Sequence, residues 1–390
     1  MDMVLENMIL AQSAAKGMTV GEMTGLLSQN AVSAQNTLPS PKARLAICGL
    51  GLVGQRHAAA MAQSLDAQLI GVVDPSDAGR SAAQSLGLSC YNSLSEMLEE
   101  ETPDGVVIST PTPLHVEQGE TCIENGVPVL IEKPLAASIE EARHLVQRAK
   151  EKDIAILVGH HRRHNPIIKK AKALISEGRL GKIRALQSTC WFYKPDDYFE
   201  VAEWRKLKGA GPISVNLVHD VDLMRHFCGE VLRVQAQSVP SSRGFENEEL
   251  ASAILTFDTG AIATVSVSDS VVSPWSWEMT SKEYHIYPHT HESCYMIAGT
   301  EGALSIPDLR LWTHPDAKDW WSPISAISMP SETTDPLHNQ IRHFVEVIRG
   351  KAEPLVSGEE GLKTLEVIDA IQAAASTGET ITLDHRSAIG

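Results

Sequence analysis

The sequence predicts an α/β protein in which a doubly wound parallel sheet is followed by a second α/β domain with a large open, mostly antiparallel sheet. Between residues 43 and 163, short apolar runs alternate with helical stretches, as parallel strands do when helices connect them. From residue 164 to residue 390, several runs instead alternate apolar and polar residues, which is typical of antiparallel strands. The length of 390 residues suits two such domains.

The first half is a regular alternation of short strands and helices. Strands are predicted at residues 44–48, 68–73, 105–109, 127–131 and 154–159. Helices are predicted at residues 53–65, 76–86, 115–125 and 138–150, with one more starting at residue 93. Ser93 with Glu96, and Ser138 with Glu141, have the spacing of a capping box. The strands are mostly apolar because helices are expected on both faces of the sheet.

The second half opens with a helix at residues 166–177 and then changes its period. Strands are predicted at residues 183–193, 232–239, 251–257, 261–268, 293–297 and 303–306. Helices are predicted at residues 212–227, 338–349 and 358–376. This pattern favours one broad sheet with helices packed against it.

The first 40 residues differ in composition from the rest. They are rich in Met, Ala, Ser, Gln and Asn and contain no aromatic residue. Asp2 and Glu6 precede the single base Lys16, whereas a secretory signal starts with positive charge. We expect residues 1–42 to form a flexible N-terminal extension, and a subunit-contact arm is the alternative.

Charge and cysteine usage exclude several classes of protein. The formal net charge of −16 argues against binding to nucleic acid or to an anionic membrane. No apolar run reaches the roughly 18 residues that a membrane span needs. The six cysteines form no CxxC pair, so a reducing, cytoplasmic location is expected.

The first predicted strand runs into Gly49-Leu50-Gly51-Leu52-Val53-Gly54, a GxGxxG motif that opens a helix. Gly49 permits the tight turn, Gly51 leaves room for a pyrophosphate, and Gly54 lets helix and strand pack closely. The phosphates of a dinucleotide would lie at the helix N-terminus, against Leu52 and Val53. The context of strand, turn and helix indicates a Rossmann dinucleotide-binding domain.

Asp74 ends the second predicted strand, 20 residues past Gly54. A carboxylate there accepts hydrogen bonds from the ribose hydroxyls and repels a 2′-phosphate, which favours NAD over NADP. Arg80 lies close in sequence and keeps NADP open as an alternative.

Two further motifs follow the fourth and fifth strands. Thr110-Pro111-Thr112-Pro113-Leu114-His115 and Glu132-Lys133-Pro134 resemble the glucose–fructose oxidoreductase/inositol dehydrogenase/rhizopine catabolism (Gfo/Idh/MocA) family, over residues 44–385. The resemblance implies a Rossmann domain joined to an α/β domain with a large open sheet. It also implies that the cofactor is contacted by Thr110, Pro111, His115, Glu132 and Lys133.

Lys133 and His219 are the predicted catalytic residues. Lys133 lies at the carboxyl end of a parallel strand, where its ammonium can bind a substrate oxygen and stabilise negative charge. In the family a glycine-rich turn opens a helix with an Asp and, four residues later, a His. His219 matches the histidine, whereas Val215 replaces the Asp.

Several neighbouring residues are candidates for supporting roles. Asn216 is predicted to bind a substrate hydroxyl or orient His219, and Asp222 could fix the tautomer of His219. The family also implies substrate contacts from Arg163 and Asn165, whereas Arg162 lines the cleft or opens a solvated helix. A metal is not expected, because His285, His289, His291 and Cys294 fit no standard zinc spacing.

These residues predict an NAD(P)-dependent dehydrogenase that oxidises a secondary alcohol of a small cyclic polyol. Sugars, inositols and carboxylated cis-dihydrodiols are the candidate substrates that the family implies. Two alternatives are a non-catalytic dinucleotide-binding sensor and an aldehyde or imine reductase. The family further implies a homodimer or homotetramer.

Overall fold

The computed structural model describes residues 41–384, of which residues 43–384 lie in one compact unit. The predicted N-terminal extension lies outside the described residues except for Pro41 and Lys42. Two sheets organise the described chain. No helix among these residues has the length and apolar character to cross a membrane.

The first sheet contains six short, largely buried strands. They are β1 (Ala43–Cys48), β2 (Ala67–Val73), β3 (Ser89–Tyr91), β4 (Gly105–Ile108), β5 (Val129–Ile131) and β6 (Ile156–Val158). All pairs are parallel, in the order β3-β2-β1-β4-β5-β6. The predicted doubly wound sheet is therefore confirmed. The order reverses between β1 and β4, so their carboxyl ends open a crevice where ligands bind in such sheets.

Five helices connect the strands of this sheet. They are α1 (Leu52–Ala62), α2 (Asp77–Ser85), α3 (Leu94–Glu101), α4 (His115–Glu124) and α5 (Ile139–Lys152). The capping box at Ser138 and Glu141 is confirmed. At α3 the predicted box is half wrong: the Ser93 hydroxyl accepts from Glu96 N, but the Glu96 carboxylate accepts from Asn92 N. Either acceptor satisfies an amide at the helix start.

The second sheet has nine strands. They are β7 (Ile183–Trp191), β8 (Val231–Pro240), β9 (Glu248–Phe257), β10 (Ile262–Ser268), β11 (Tyr295–Gly299), β12 (Ala303–Ile306), β13 (Arg310–Thr313), β14 (Ser325–Ser328) and β15 (Ile381–Thr382). Their order is β14-β13-β12-β11-β7-β10-β9-β8-β15. Only β7 and β10 pair in parallel, so the predicted open and mostly antiparallel sheet is confirmed.

Six helices belong to the second half of the chain. They are α6 (Pro166–Ser176), α7 (Asp196–Glu200), α8 (Val218–Cys228), α9 (Trp277–Thr280), α10 (Pro336–Ile348) and α11 (Gly358–Thr377). A single helix was predicted at residues 212–227, but the structure has a π-helical turn at Ile213–Leu217 that leads into α8. Nearly every residue of α8 is buried, so its polar side chains need partners inside the protein.

Helix α10 brings the second half of the chain back to the first sheet. Leu337, Ile341 and Phe344 of α10 share a buried cluster with Leu45 and Ile47 of β1. The other face of the same sheet is covered by α4 and α5. Both halves therefore contribute to one packed framework around the carboxyl ends of the parallel strands.

Substitutions in the turn between β1 and α1 test how closely the helix packs on the strand. A Cβ on Gly54 would lie 2.0 Å from the carbonyl oxygen of Gly49, whereas a Cβ on Gly51 would meet nothing within 4 Å. We expect Gly54→Ala to lower the free energy of unfolding by about 1–3 kcal/mol through overpacking. The matched control Gly51→Ala should unfold at the wild-type urea concentration. Equal stability of the two variants would contradict the close helix–strand contact.

Candidate active site

The glycine turn presents an open helix N-terminus at the crevice. Gly49 has a φ of +83°, and its Cβ position is closed off by the backbone of Ser109 and Thr110. At the N-cap of α1, Gly51 offers no side chain to the free amides of the first turn. Leu52, the next residue, is 75 % exposed. The free amides, the open space and the exposed apolar side chain fit a dinucleotide at this end of α1.

Two side chains tie the neighbouring loops together. The Ser109 hydroxyl donates to the carbonyls of Cys48 and Gly49, at 3.1 and 2.8 Å. The ring nitrogens of His115 lie 2.9 Å from the carbonyl oxygens of Thr110 and Pro134. The ring of His115 is buried between these two carbonyls, and its expected contact with the cofactor stays a prediction. The structure therefore makes it a support for the loops after β4 and β5, of which Thr110 and Pro111 remain partly or fully exposed.

Asp74 directly follows β2, and its carboxylate connects the end of this strand to the glycine turn. One oxygen accepts from the amide of Leu50 at 2.8 Å, and the other accepts from the amide and hydroxyl of Ser76. Partial burial works against ionisation, but these hydrogen bonds lower the pKa of Asp74. Arg80 points elsewhere, to Asn92 and the carbonyl of Pro75. The charge next to the turn is therefore negative, as sequence analysis expects for NAD.

The carboxylate of Glu132 is paired within the protein, and its expected contact with the cofactor stays a prediction. Its carboxylate accepts from His57 Nε2 at 2.7 Å and from the amide of Lys133 at 3.2 Å. Burial alone would raise the pKa of Glu132, but the hydrogen bond and charge of His57 lower it to about 2. The pair anchors the loop after β5 to α1, and Lys133 is joined to Pro134 by a cis peptide bond.

Lys133 and His219 converge, although 86 positions separate them in the sequence. The ammonium of Lys133 donates to the carbonyl of Val215 at 3.3 Å, one helical turn before His219. Burial lowers the pKa of Lys133. Burial, followed by the positive charge of Lys133, holds the pKa of His219 well below its usual range. The site thus pairs a cationic donor with a neutral imidazole.

Polar atoms around His219 have unused hydrogen-bonding capacity. The rings of His160 and His161 lie 6.0 and 5.2 Å from the ring of His219, measured between centroids. Neither His219 Nδ1 nor Asn216 Oδ1 has a hydrogen-bond partner among residues 41–384, although both are buried. Buried polar atoms are rarely left unpaired, so these two are suited to hold a bound hydroxyl or water.

Arg163 and Asp222 form a structural ion pair. Two guanidinium nitrogens of Arg163 donate to the Asp222 carboxylate at 2.7 and 2.8 Å, and one also reaches Glu360 of α11. The expected role of Asp222 in fixing the His219 tautomer is therefore wrong, because its carboxylate faces Arg163. Nε and one terminal nitrogen of Arg163 are occupied by protein acceptors, and the expected substrate contact of Arg163 stays a prediction.

Asn165 also has partners within the framework, and its expected substrate contact stays a prediction. Its side-chain oxygen caps α6 by accepting from the amide of Ile167, and its amide nitrogen donates to Glu283 at 2.8 Å. Glu283 further accepts from His161 and Trp277. Burial opposes ionisation, but the charge and hydrogen bond of His161 lower the pKa of Glu283 to about 2. The carboxylate thus fixes His161 beside His219.

Arg162 is buried, so the solvated helix start considered for it is wrong. It pairs with Glu278 at 2.8 Å and with Asp220 at 3.4 Å. Asp220 also accepts a short hydrogen bond from Tyr295. Burial raises the pKa of Asp220 to about 6, against the opposing charge of Arg162. Through Asp220 this cluster includes α8 itself, and Arg162 adds a fixed positive charge near His219.

The segment at residues 281–292 reaches from the second half of the chain to α1. Arg56 of α1 lies 4.5 Å from the centroid of the Tyr284 ring. The histidines considered for a metal site, His285, His289 and His291, line a cavity of about 640 Å³ beside this segment. Cys294 is buried beside Thr280 instead. Within the described part of the chain, no three His, Cys, Asp or Glu side chains are grouped to hold a metal ion.

Comparison with known proteins identifies the class of this fold and site. Residues 43–160 match the oxidoreductase family with an NAD-binding Rossmann fold, and residues 168–305 match the GFO/IDH/MocA C-terminal domain. The protein is therefore an NAD(P)-dependent oxidoreductase with an NAD-binding Rossmann domain. More particularly, the chain belongs to the Gfo/Idh/MocA family, as its motifs predicted.

The relatives include sugar and polyol dehydrogenases. The chain is 28% identical to scyllo-inositol 2-dehydrogenase (NAD(+)) of Bacillus subtilis (strain 168), over 88% of this chain and 97% of that protein. It is 25% identical to D-apiose dehydrogenase of Paraburkholderia graminis, over 87% of this chain and 89% of that protein. The structure of the WlbA dehydrogenase from Bordetella pertussis was solved with NADH and UDP-GlcNAcA. It is 25% identical in sequence and matches with a TM-score of 0.71, over 88% of this chain and 99% of that chain.

Several residues around this site carry no sequence signal of their role. His57 is three positions past Gly54 and pairs with Glu132. His160 and His161 lie at the site only because α8 packs beside them. Glu283, the partner of His161, lies 122 positions away from it in the sequence. The run of three histidines and two arginines at residues 160–164 was the only signal available, and it did not reveal which side chains face the site.

The Arg163–Asp222 pair gives a direct test of the structural role of these residues. Asp222→Ala leaves a buried guanidinium with one partner, so the free energy of unfolding should fall by about 3–5 kcal/mol. Urea denaturation measures this loss. The control Asp369→Ala removes an exposed carboxylate of α11 and should change stability by less than about 0.5 kcal/mol. A stable Asp222→Ala protein would contradict the structural assignment and restore Arg163 as a substrate contact.

Proposed function

We propose that the protein catalyses the NAD(P)-dependent oxidation of a secondary alcohol carbon in a cyclic polyol, with Lys133 and His219 as the catalytic residues. The observation that carries this proposal is the contact between the Lys133 ammonium and the Val215 carbonyl, one turn before His219. The names of the inositol and apiose dehydrogenases among the relatives support sugars and inositols as the substrate class.

The cofactor would be held by the turn from Gly49 to Gly54. The free amides at the start of α1 suit the pyrophosphate, and Leu52 and Val53 offer an apolar cover. Asp74 suits an unphosphorylated ribose, which favours NAD. Thr110 and Pro111 border the same crevice. A nicotinamide cofactor held there would supply the hydride acceptor for oxidation of the carbinol carbon, or the hydride donor for the reverse reaction.

His219 serves as the proton acceptor in this mechanism. Its depressed pKa keeps the imidazole neutral near pH 7, so a lone pair is available for the hydroxyl proton. The Lys133 ammonium binds the same substrate oxygen and stabilises the negative charge that develops as the proton leaves. Burial makes this interaction stronger than it would be in water.

The replacement of the family's Asp by Val215 is compensated by the backbone. In this chain the carbonyl of Val215 accepts the hydrogen bond from Lys133, so the ammonium keeps an anchor without a carboxylate. Asn216 then supplies an unpaired side-chain oxygen for a second substrate hydroxyl. Retention of both catalytic groups favours an enzyme over a sensor.

We propose further that the protein is a cytoplasmic homodimer or homotetramer. All six cysteines are unpaired, which suits a reducing compartment. The second sheet exposes Ile254, Ile262 and Met296, which another subunit could cover. Sedimentation equilibrium would distinguish these states from a monomer.

Substitution of Lys133 tests the mechanism. Lys133→Met should lower kcat/KM for polyol oxidation at least about 100-fold, because an oxyanion-stabilising donor is lost. His219→Gln should cause a loss of similar size by removing the proton acceptor. NADH absorbance follows the reaction across sugars and inositols, and NADH fluorescence verifies that the variants still bind the cofactor.

The control for these substitutions is Lys169→Met, which replaces an exposed lysine of α6. It should oxidise the best polyol at the wild-type rate. Wild-type activity in Lys133→Met would refute the proposed mechanism.

A further inference from the structure

The ring of His161 contacts His219 and a carboxylate at the same time. Its centroid lies 5.2 Å from that of His219, and the two ring planes are inclined by 72°. Its Nε2 lies 2.9 Å from a carboxylate oxygen of Glu283. An ionised carboxylate only accepts hydrogen bonds, so Nε2 of His161 carries the proton and Nδ1 has a lone pair. His161 is therefore able to accept a proton at Nδ1.

His219 is poorly suited to keep a proton that it takes from a substrate. Burial, followed by the positive charges of Lys133 and Arg162, holds the pKa of His219 well below its usual range. Its buried Nδ1 has no hydrogen-bond partner among residues 41–384, and Val215 stands where the family has an Asp. A proton on this ring therefore has no countercharge in direct contact and must move on to a group that has one.

Glu283 supplies that countercharge to His161. Its side chain is only 8 % exposed. One carboxylate oxygen accepts from Asn165 at 2.8 Å and from Trp277 at 3.0 Å, and the other oxygen accepts from His161. The two further donors hold the carboxylate in place and leave its bond to His161 intact. A charge-assisted hydrogen bond of this kind stabilises an imidazolium at His161.

The other titratable groups around the two rings are less suited to this role. The charge of Glu132 acts on His161, but its carboxylate is bonded to His57 at 2.7 Å. Burial lowers the pKa of His160 to about 4 and that of His164 to about 3, so both stay neutral near pH 7. His161 is thus the neighbour of His219 that has an ionised carboxylate as its own partner.

Glu283 also lines the cavity of about 640 Å³ beside the segment at residues 281–292. A cavity of this size with polar walls holds water. Four more acidic side chains and two basic ones are among its lining residues: Glu292, Asp308, Glu332 and Asp335 against Lys282 and Arg310. The excess of negative charge favours the arrival of a proton. The carboxylate of Glu283 therefore connects His161 to a place where a proton can enter solvent.

We propose that His161 and Glu283 form a relay that carries the hydroxyl proton of the substrate from His219 to the water of this cavity. One ring nitrogen of His219 gains the hydroxyl proton as the hydride leaves the carbinol carbon. The other passes its proton to Nδ1 of His161, directly or through one water. His161 then releases its Nε2 proton along the Glu283 carboxylate to the cavity. Both rings end neutral, and one proton reaches solvent for each alcohol oxidised. This inference rests on the proposed function.

Chemical rescue of His161→Ala tests the relay. This variant should lower kcat for polyol oxidation at least about tenfold, with KM within about twofold of the wild type, because proton transfer is slowed while substrate binding is kept. Added imidazole fits the space of the missing ring and accepts a proton, so it should raise kcat of the variant at least about tenfold. Pyrazole has the same size but is a much weaker base and should not raise it.

Two further variants complete the experiment. His144→Ala removes an exposed histidine that pairs with Glu120 at 2.9 Å, and it should keep the wild-type kcat with no response to imidazole. Glu283→Gln keeps the size of the side chain but lacks the charge. It should lower kcat at least about tenfold and increase the solvent deuterium isotope effect on kcat, because proton transfer becomes rate-limiting. NADH fluorescence verifies that each variant binds the cofactor.

The outcomes separate the relay from the proposed function. Wild-type kcat in His161→Ala, or a loss that imidazole repairs no better than pyrazole, would overturn the relay and leave the proposed function standing. If His161→Ala does not bind NADH, Glu283→Gln decides, and an unchanged solvent isotope effect in that variant rules the relay out. A wild type that oxidises no sugar or inositol would overturn the proposed function and the relay together.

Discussion

The contact between the Lys133 ammonium and the Val215 carbonyl joins the two halves of the site. It connects the carboxyl end of β5, on the first sheet, to the turn that begins α8, against the second sheet. A buried ammonium must have an acceptor, and α8 supplies one at the position that also sets the place of His219. The chemistry of the site depends on this single contact, because the positive charge of Lys133 contributes, after burial, to the low pKa of His219.

Most charged side chains near the site form ion pairs that stabilise the framework, so only a few polar groups are available for the reaction. Glu132 is paired with His57, and Glu283 holds His161. Arg163 links the end of the first sheet to α8 and α11 through Asp222 and Glu360. Breaking such buried pairs is costly, so these residues keep the crevice in one shape. His219 and Asn216 are among the described residues that keep a buried polar atom without a hydrogen-bond partner.

The fold was largely predictable because its signals are local. Apolar runs, the glycine turn and the Ser138 capping box each depend on residues a few positions apart. The strands that were missed, β3 and β13 to β15, are short and include polar residues, whereas the equally short β5 and β6 are continuous apolar runs. The roles of Arg163 and Asp222 could not be assigned, because Glu360 lies 197 positions from Arg163 in the sequence and spacing does not reveal the partner.

Nuclear magnetic resonance titration of the His219 imidazole tests the convergence of Lys133 and His219 most directly. Comparison with the spectrum of His219→Gln assigns the signal among the 15 histidines. We predict that the pKa of His219 lies well below that of an exposed histidine, and that it rises in Lys133→Met because a nearby positive charge is removed. An unchanged His219 pKa in Lys133→Met would show that the two groups do not share one site.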